Sequence, residues 1–279
     1  MVINGDDFGH SHAVNQAIIQ AHTNGVLTSA SLMVTGDAFA EAVELARQHP
    51  SLGVGLHLVV GTGRAVLPPA HIPHLVDANG RFPDQPVRVG LRYQFSRAAR
   101  RELLLEIRAQ LQRFKDTGLP LTHVDGHLHN HVHPYVLQCL IALAEEFGIR
   151  FIRLPFEELS VHRATGSRTG PGALLLWGIF RLLRAHGVTQ LSAHGIGYAD
   201  RVYGWLHSGR ITEAYLSRLI PLIRANRVEI YAHPSLEEAG ASASDSGGDG
   251  PLELQALTSP SIRHLLASCR FQGVRFPEL

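Results

Sequence analysis

Residues 2–34 read VINGDDFGHSHAVNQAIIQAHTNGVLTSASLMV, and the fold class follows from this stretch. Its apolar start, residues 2–4, predicts a strand. Ser11 can cap a helix whose apolar residues then recur at helical spacing, and Gly25 can end that helix. Residues 27–34 predict a second strand. A strand, a helix and a second strand in so short a span predict a β-α-β unit, in which the two strands run parallel.

The same alternation continues along the chain. Further strand-like segments occupy residues 52–58, 121–125, 149–154, 188–193 and 228–232, with amphipathic helical segments between most of them. This order predicts an α/β fold in which helices cover a parallel sheet, either a barrel or a doubly wound sheet. About seven parallel strands without a nucleotide-binding fingerprint favour a distorted (β/α) barrel, formed by residues 1–279 as a single domain.

Two stretches do not follow the alternation. Residues 61–96 are rich in Pro and Gly, and a loop of this length predicts either an active-site lid or substrate wall, or a tolerated surface excursion. Residues 237–251 are mostly Gly, Ser and acidic residues with little to bury. They predict a flexible linker before a short C-terminal helix.

The composition excludes several classes of protein. Apolar residues make up 45% and charged residues 18% of the chain, against about 25% charged in an ordinary globular domain. The formal charge of +1, without a basic block, argues against a nucleic-acid partner. The two cysteines lack the spacing of a metal or redox motif, no signal peptide is evident, and no run reaches the roughly 18 apolar residues of a membrane span. We therefore expect a cytoplasmic protein.

Histidine is unusually frequent, with 18 residues against 24 acids. Parallel strands of a barrel end at one face, where active sites lie. Four predicted strands end in, or are directly followed by, carboxylates and imidazoles, which we therefore expect to meet at that face: Asp6, Asp7, His57, Asp125, His127 and His233.

One carboxylate and two imidazoles from three strands are typical of a catalytic metal site, which keeps an open position for water. The second acid of the pair Asp6 and Asp7 can then act as a base, with Asp6 in that role and His233 as the acid that protonates a departing nitrogen. In the run 125–133, alternating histidines on an extended segment would place every second ring on one side. A solvated polar loop is the alternative for this run.

Four sequence blocks together resemble the YdjC-like carbohydrate deacetylases: NGDDFG at residues 4–9, GLHL at 55–58, THVDGH at 122–127 and YAHP at 231–234. The resemblance covers the chain from residue 2 to about residue 234. Residues 27–34, 90–93 and 199–204 resemble one branch more closely, the deacetylases associated with hopanoid biosynthesis.

The resemblance implies a distorted α/β barrel with a divalent metal at the carboxyl ends of its strands. It assigns Asp7, His57 and His127 as metal ligands, Asp6 as the base and His233 as the acid. The implied reaction is attack of metal-bound water on the acetyl amide of an N-acetylglucosamine-type sugar, and the branch implies an N-acetylglucosaminyl hopanoid lipid. By ligand softness the set suits Zn²⁺ best and leaves room for Mg²⁺ or Mn²⁺.

Further residues are expected to contact the substrate: Asp125, His129, His131, Arg153, Asp200 and Arg201. Deacetylation of soluble chito-oligosaccharides is an alternative activity. Hydrolysis of a phosphate ester is another, although the chain lacks the Gly-rich loop or Arg cluster expected for a phosphate. A non-catalytic sugar-lipid binding protein with a structural metal would need no base beside the ligand. The sequence leaves the oligomeric state open.

Residues 172–184, GALLLWGIFRLLR, predict an apolar helix too short to span a bilayer. In one interpretation it is buried through Leu175, Leu176, Ile179, Leu182 and Leu183. In the other, Leu174, Trp177 and Phe180 are partly exposed and make weak peripheral contact with a membrane, where Arg181 and Arg184 meet anionic lipid.

Overall fold

A computed structural model describes residues 1–167, 169–237 and 248–279 of the chain. The chain forms eight short strands in its described part, and five of them are fully buried. Their bounds are Val2–Phe8 (β1), Ser29–Leu32 (β2), Gly53–Leu58 (β3), Gly63–Arg64 (β4), Arg81–Phe82 (β5), Val124–Gly126 (β6), Arg201–Tyr203 (β7) and Val228–Ala232 (β8).

Six of these strands form one parallel sheet in the order β6-β3-β2-β1-β8-β7. The sheet curls into a half-barrel. Isolated bridges extend it at the β6 edge, where Val124 pairs with Ile152 and Phe151 pairs with Gly197. A third bridge, between Phe156 and Val202, reaches the β7 edge. Because all six strands run in one direction, their carboxyl ends lie at one rim.

Helices cover the sheet and close the apolar core. Their bounds are His12–Asn24 (α1), Phe39–Gln48 (α2), Pro86–Phe95 (α3), Arg97–Lys115 (α4), Pro134–Ala142 (α5), Ala144–Phe147 (α6), Leu159–Ala164 (α7), Pro171–Ala193 (α8), Glu213–Leu219 (α9), Gly250–Thr258 (α10) and Pro260–Ser268 (α11). The Ser11 hydroxyl caps α1 by accepting a hydrogen bond from the Val14 amide, as the sequence predicted. None of the described helices is long and apolar enough to cross a membrane.

The predicted strand at residues 188–193 is wrong, because these residues form the last turns of α8. Gly187 and Leu191 lie one helical turn apart and are both buried. The packed face of the helix therefore continues through residues 188–191. The predicted strand at 149–154 is reduced to the bridges of Phe151 and Ile152. The parallel sheet of the described residues therefore has six strands where about seven were expected.

Residues 61–96 are more ordered than the sequence suggested. Strands β4 and β5 form an antiparallel pair, and α3 ends the segment. Glu106 of α4 accepts hydrogen bonds from the amides of Val66 and Leu67, at 2.8 and 2.9 Å. The segment also contributes buried side chains to the main core: Ile72, Leu75, Phe82, Val89 and Tyr93. It is a packed extension of the fold, and its role as a lid stays a prediction.

The linker predicted at 237–251 lies largely outside the described residues, which omit 238–247. Helix α10 already begins at Gly250, within the predicted linker. Two short helices, α10 and α11, follow where one was expected. The amide of Val26 donates to the carbonyl of Leu257, which ties α10 to the end of α1.

Most of the face of α8 that was expected to be buried is exposed, and the opposite face is packed on the protein. Leu175 and Leu182 are 68% and 73% exposed. Phe180 packs on the core, and the Trp177 indole donates to the carbonyl of Glu157 at 3.0 Å. The Arg184 guanidinium donates to the carbonyls of Leu154, Ala199 and Asp200, so it faces the protein and not a lipid surface.

We expect Gly55→Ala to destabilise the fold. A Cβ at this position of β3 would overlap the imidazole and the carbonyl oxygen of the buried His123. Overpacking of this kind costs about 1–3 kcal/mol. Urea unfolding followed by circular dichroism measures the change in the free energy of unfolding.

The matched control is Gly178→Ala in the interior of α8, where an added Cβ meets no atom within 4 Å. Alanine is favoured over glycine in a helix by about 0.5–1 kcal/mol, so this variant is expected to be at least as stable as the wild type. Equal stability of the two variants would contradict the packing at Gly55.

Candidate metal centre and active site

A bulge in β1 brings two adjacent acids to the rim of the sheet. Successive side chains of a regular strand point to opposite faces. The pairing of β1 with β2 shifts register between Gly5 and Phe8, and Asp7 has φ of +64°, in the left-handed region. A bulge redirects the side chain that it carries, and positive φ at a residue other than glycine is typical of functional sites. Asp6 and Asp7 can therefore serve one site.

Asp7, His57 and His127 converge from β1, β3 and the end of β6. Oδ1 of Asp7 lies 3.2 Å from Nε2 of His57 and 3.2 Å from Nδ1 of His127. All three side chains are buried, and one ligand atom of each lies within 4.8 Å of the others. Atoms bound to zinc at about 2.0–2.2 Å with tetrahedral angles lie roughly 3.3–3.6 Å apart. The spacing of these three residues fits a divalent metal.

The second oxygen of Asp7 supports the same fit. Oδ2 is buried and has no hydrogen-bond partner among the described residues. Burial alone would raise the pKa of Asp7, but His127 and His57 outweigh it and hold this pKa well below its usual value. A buried, ionised carboxylate with an unpaired oxygen is costly unless a cation approaches it.

Asp125 orients His57. Its Oδ1 accepts a hydrogen bond from Nδ1 of His57 at 2.8 Å, which directs Nε2 to Asp7. A carboxylate that holds the far nitrogen of a ligand histidine is a common support in metal sites. Burial alone would lower the pKa of His57, but Asp125 and Asp7 raise it to about 10, and the same negative field favours a metal cation.

The histidine run does not form the extended segment that the sequence predicted. Residues His127–Val132 form 3-10 turns with a kink, where Leu128 and His129 have φ of +53° and +57°. The turn separates the rings instead of aligning them. His127 joins Asp7, whereas His129 bonds the Tyr231 hydroxyl at 2.9 Å and His131 bonds the carbonyl of Arg153 at 2.9 Å. His129 and His131 thus lie outside the group of three.

Asp6 lies beside Asp7 but has different partners. Its two oxygens accept hydrogen bonds from Nη1 and Nη2 of Arg153, at 2.7 and 2.8 Å. Asn4 donates a further hydrogen bond to Oδ1 of Asp6 at 2.7 Å. A two-point contact with a guanidinium fixes both the position and the plane of a carboxylate. Asp6 is therefore held rigidly next to the candidate metal ligands.

Arg153 is fully buried and holds three carboxylates at once. Besides Asp6, it contacts Asp125 at 2.8 Å and Glu229 at 2.6 Å. Its guanidinium also lies 4.7 Å from the centre of the Tyr231 ring. We expected Asp125, His131 and Arg153 to contact the substrate. All three contact other side chains or backbone in the interior, and their contact with the substrate stays a prediction. His129, 9% exposed, is the most accessible of this inner group.

Sequence reasoning missed Asn4, Ser31 and Glu229 as parts of the site. Ser31 donates to Oδ2 of Asp125 at 2.6 Å, and Asn4 donates to Ser31 at 2.7 Å. Burial raises the pKa of Glu229 to about 7, against the opposing effect of Arg153. Each of these residues is a polar side chain in a fully buried strand, and a polar residue within a predicted strand is the one signal that could have identified them.

His233 follows β8, at the same rim as the candidate ligands. Its backbone amide donates to Glu253 of α10 at 2.5 Å, and its ring lies 5.6 Å from that of Tyr231. Nδ1 of His233 is buried and has no hydrogen-bond partner among the described residues. Glu253 was also missed by the sequence analysis.

Asp200 and Arg201 lie at the start of β7, the opposite end of the strand from the rim. Asp200 pairs with Arg227 at 3.0 Å, and Arg201 pairs with Glu158. The carboxyl ends of parallel strands face the site, so these two residues lie away from the candidate ligands, and their contact with the substrate stays a prediction.

A cavity of about 750 Å³ opens beside the site. Ser208 in its lining bonds Tyr231, the partner of His129, and Trp205 packs on Phe180 with ring centroids 4.7 Å apart. Binding pockets for small molecules commonly have volumes of about 300–1,000 Å³. No carboxylate lines the cavity within the described part of the chain; its polar and aromatic lining includes His162, Trp205, His207, Ser208, Arg210 and Tyr215.

The chain is similar to known proteins along nearly its whole length. The model of the YdjC-like protein family matches residues 1–268. The chain is 42% identical over 279 residues to a carbohydrate deacetylase of Geobacillus stearothermophilus, with 99% of this chain and 96% of the relative covered. It is 34% identical over 280 residues to a carbohydrate deacetylase of Brevibacillus brevis, with 100% and 99% covered.

A human carbohydrate deacetylase is 32% identical over 292 residues, with 96% of this chain and 87% of the relative covered. Among solved structures, one from Enterococcus faecalis, provisionally named a cellobiose-phosphate cleavage protein, superposes with a TM-score of 0.75 at 24% identity. It covers 99% of this chain and 97% of its own. This last likeness concerns the fold alone.

Removal of a candidate ligand is expected to abolish metal binding. Each of His57→Ala and His127→Ala deletes one of three protein ligands, while the rest of the fold remains packed. Mass spectrometry of the purified proteins measures metal per chain, and circular dichroism shows whether the variants are folded.

Asp6→Asn is the matched control, because it alters the neighbouring acid and leaves the three candidate ligands in place. It should retain metal, whereas Asp7→Asn should lose it. Full metal content in the two histidine variants contradicts the assignment. So does loss of metal in Asp6→Asn when the other variants keep it.

Proposed function

The chain belongs to the YdjC-like protein family, and from this membership we propose that it is a metal-dependent hydrolase that removes the acetyl group from an N-acetylglucosamine-type sugar. The observation that carries the proposal is the trio Asp7, His57 and His127 with a second carboxylate, Asp6, held beside it. A site that only stored a metal would not need that second carboxylate.

Asp7, His57 and His127 would hold the cation, with Zn²⁺ favoured by the ligand set and Mg²⁺ or Mn²⁺ as alternatives. When bound, a divalent cation supplies Lewis acidity, which polarises an acetyl carbonyl and makes water more acidic. The chain's own residues supply the proton transfers and the positioning.

Asp6 is the general base of the proposed reaction. Its carboxylate takes a proton from the attacking water, and Arg153 and Asn4 hold it in place. Because Arg153 also holds Asp125, which orients His57, one guanidinium aligns the base with a metal ligand. Arg153 and Asp125 are thus positioning residues.

His233 is the general acid. The C–N bond of the amide breaks as the nitrogen accepts a proton, and the products are acetate and a free amino sugar. Nδ1 of His233 has no hydrogen-bond partner among the described residues, which supports this role because none of them competes with a substrate for that nitrogen. The location of His233 at the end of β8 places it on the same rim as Asp6.

The sugar extends into the cavity beside Tyr231. Trp205 and His207 in its lining provide flat faces for a pyranose ring, and Ser208 and Arg210 provide hydrogen bonds to its hydroxyl groups. The mixed aromatic and polar lining supports a carbohydrate more than a purely apolar ligand.

The specific substrate that we favour is an N-acetylglucosaminyl hopanoid lipid, at the cytoplasmic face of a membrane. Support comes from the resemblance of residues 27–34, 90–93 and 199–204 to the hopanoid branch, and from the exposed apolar side chains of α8. Release of acetate from this glycolipid and from soluble chito-oligosaccharides, measured side by side, tests the choice. Turnover of the oligosaccharides alone would reject the lipid substrate and keep the deacetylase.

Asp6→Asn should retain metal but lose activity by about 10²–10⁴-fold, the range typical of general acid–base catalysis. His233→Ala should behave in the same way. The measurement is kcat for acetate release, with metal content determined on the same samples.

Gln16→Ala on α1, away from the metal cluster, is the control and should keep wild-type kcat. An unchanged kcat in His233→Ala would remove this histidine from the mechanism. Loss of metal in Asp6→Asn would instead make Asp6 a ligand.

A further inference from the structure

Exposed apolar side chains are concentrated on one part of the molecule. Twelve large apolar residues are exposed in the described chain, and nine of them lie on α3, on α8 and on the 3-10 segment His127–Val132. A scatter of single apolar residues over a surface is ordinary, but a concentration of this kind marks an interaction site. We name these nine residues the apolar surface: Val87, Leu91, Phe95, Leu128, Leu174, Leu175, Leu176, Ile179 and Leu182.

The two helices flank the segment that carries the candidate ligand His127. On one side, Tyr93 of α3 packs against His133 with ring centroids 6.1 Å apart. On the other side, Phe180 of α8 packs against His129 at 5.9 Å. Leu128 is the residue after His127, lies on this segment between the two helices and is 41% exposed. The apolar surface thus lies next to the candidate metal centre.

The helices also approach each other beyond this segment. Gln94 of α3 and His186 and Gln190 of α8 line one cavity of about 310 Å³ across the start of α5. On α3, Val87, Leu91 and Phe95 recur every four residues and are 77%, 56% and 77% exposed. This spacing places them on one face of the helix, turned away from the buried Val89 and Tyr93.

The charges around the apolar surface have one sign. Residues 85–101 and 159–199 contain no Asp or Glu, although the chain has 24 acids. Exposed arginines accompany both helices: Arg88, Arg97, Arg101, Arg163 and Arg181. The acids at the ends of these runs already have partners of their own. Glu102 pairs with His74, Glu158 with Arg201 and Asp200 with Arg227.

We infer that the apolar surface docks on an anionic lipid bilayer, with the side chains of α3 and α8 at the headgroup boundary and their arginines on anionic headgroups. The inference deepens the proposed function, because it rests on a lipid-linked substrate that the site must reach. Docking would bring the region around His127 to the headgroups without extraction of the lipid. Apolar side chains with neighbouring arginines and no acids are the composition that such a surface requires.

Charge disfavours a second copy of the chain as the occupant. A two-fold interface pairs the same patch with itself. Here it would bring the arginines of one copy against those of the other, with no carboxylate from either helix to pair with them. An anionic membrane supplies the complementary charge.

Sedimentation with vesicles tests the inference. The vesicles are phosphatidylcholine with or without phosphatidylglycerol, and the protein is the full chain with its metal. Two double variants, Leu175→Ser with Leu182→Ser and Val87→Ser with Phe95→Ser, remove exposed side chains from one helix each. We expect each to weaken binding to anionic vesicles by about tenfold or more, because both helices contribute buried apolar area.

The matched control is Leu105→Ser with Leu252→Ser, which removes exposed leucines outside the apolar surface and should leave binding unchanged. Arg88→Glu with Arg181→Glu should weaken binding only where phosphatidylglycerol is present. All variants should release acetate from soluble chito-oligosaccharides at the wild-type rate, which also shows that they are folded.

Two results would overturn the inference. One is a wild-type protein that deacetylates the soluble substrate but does not sediment with either vesicle. The other is a wild-type dimer in light scattering that becomes monomeric in the α3 and α8 variants, which makes the surface an interface between copies. Vesicle binding without acetate release from any substrate would leave the docking intact and reject the proposed deacetylase.

Discussion

Arg153 donates hydrogen bonds to Asp6 and Glu229 and pairs with Asp125, all in a region without solvent access. Three carboxylates buried so close together would repel one another and lose their hydration without a cation among them. The guanidinium offsets that cost, and its planar geometry fixes where each carboxylate lies. Arg153 therefore fixes the relative positions of these carboxylates from the interior of the protein.

The site is built by backbone distortion as much as by side chains. Asp7, Leu128 and His129 all have positive φ, a conformation that costs a residue other than glycine about 1 kcal/mol or more. At Asp7 the distortion is a bulge that turns adjacent acids to one site. At Leu128 and His129 it is a kink that sends successive histidines to different partners. The strain is tolerated because the surrounding strands and the buried hydrogen bonds determine the positions of these residues.

Apolar helix residues in this fold are of two kinds, those that pack on the sheet and those that remain exposed beside the rim. The faces of α1 and α4 close over the sheet, whereas α3 and α8 keep apolar residues in solvent beside the rim. In α8 the aromatic residues Trp177 and Phe180 anchor the helix inward, so the leucines on the other sides remain outside.

The α/β class, the approximate positions of most strands and the convergence of Asp7, His57 and His127 could be predicted from the sequence, because periodicity and the ends of strands are local properties of the chain. The order of the six strands, the role of Arg153, the separation of His127 from His129 and His131, and the outward face of α8 could not. Each of these depends on partners distant in the sequence: Arg153 meets Asp6 across 147 positions and His127 meets Asp7 across 120. An apolar helix carries the same residues whichever side is buried, and only packing against Glu157 and the core selects that side.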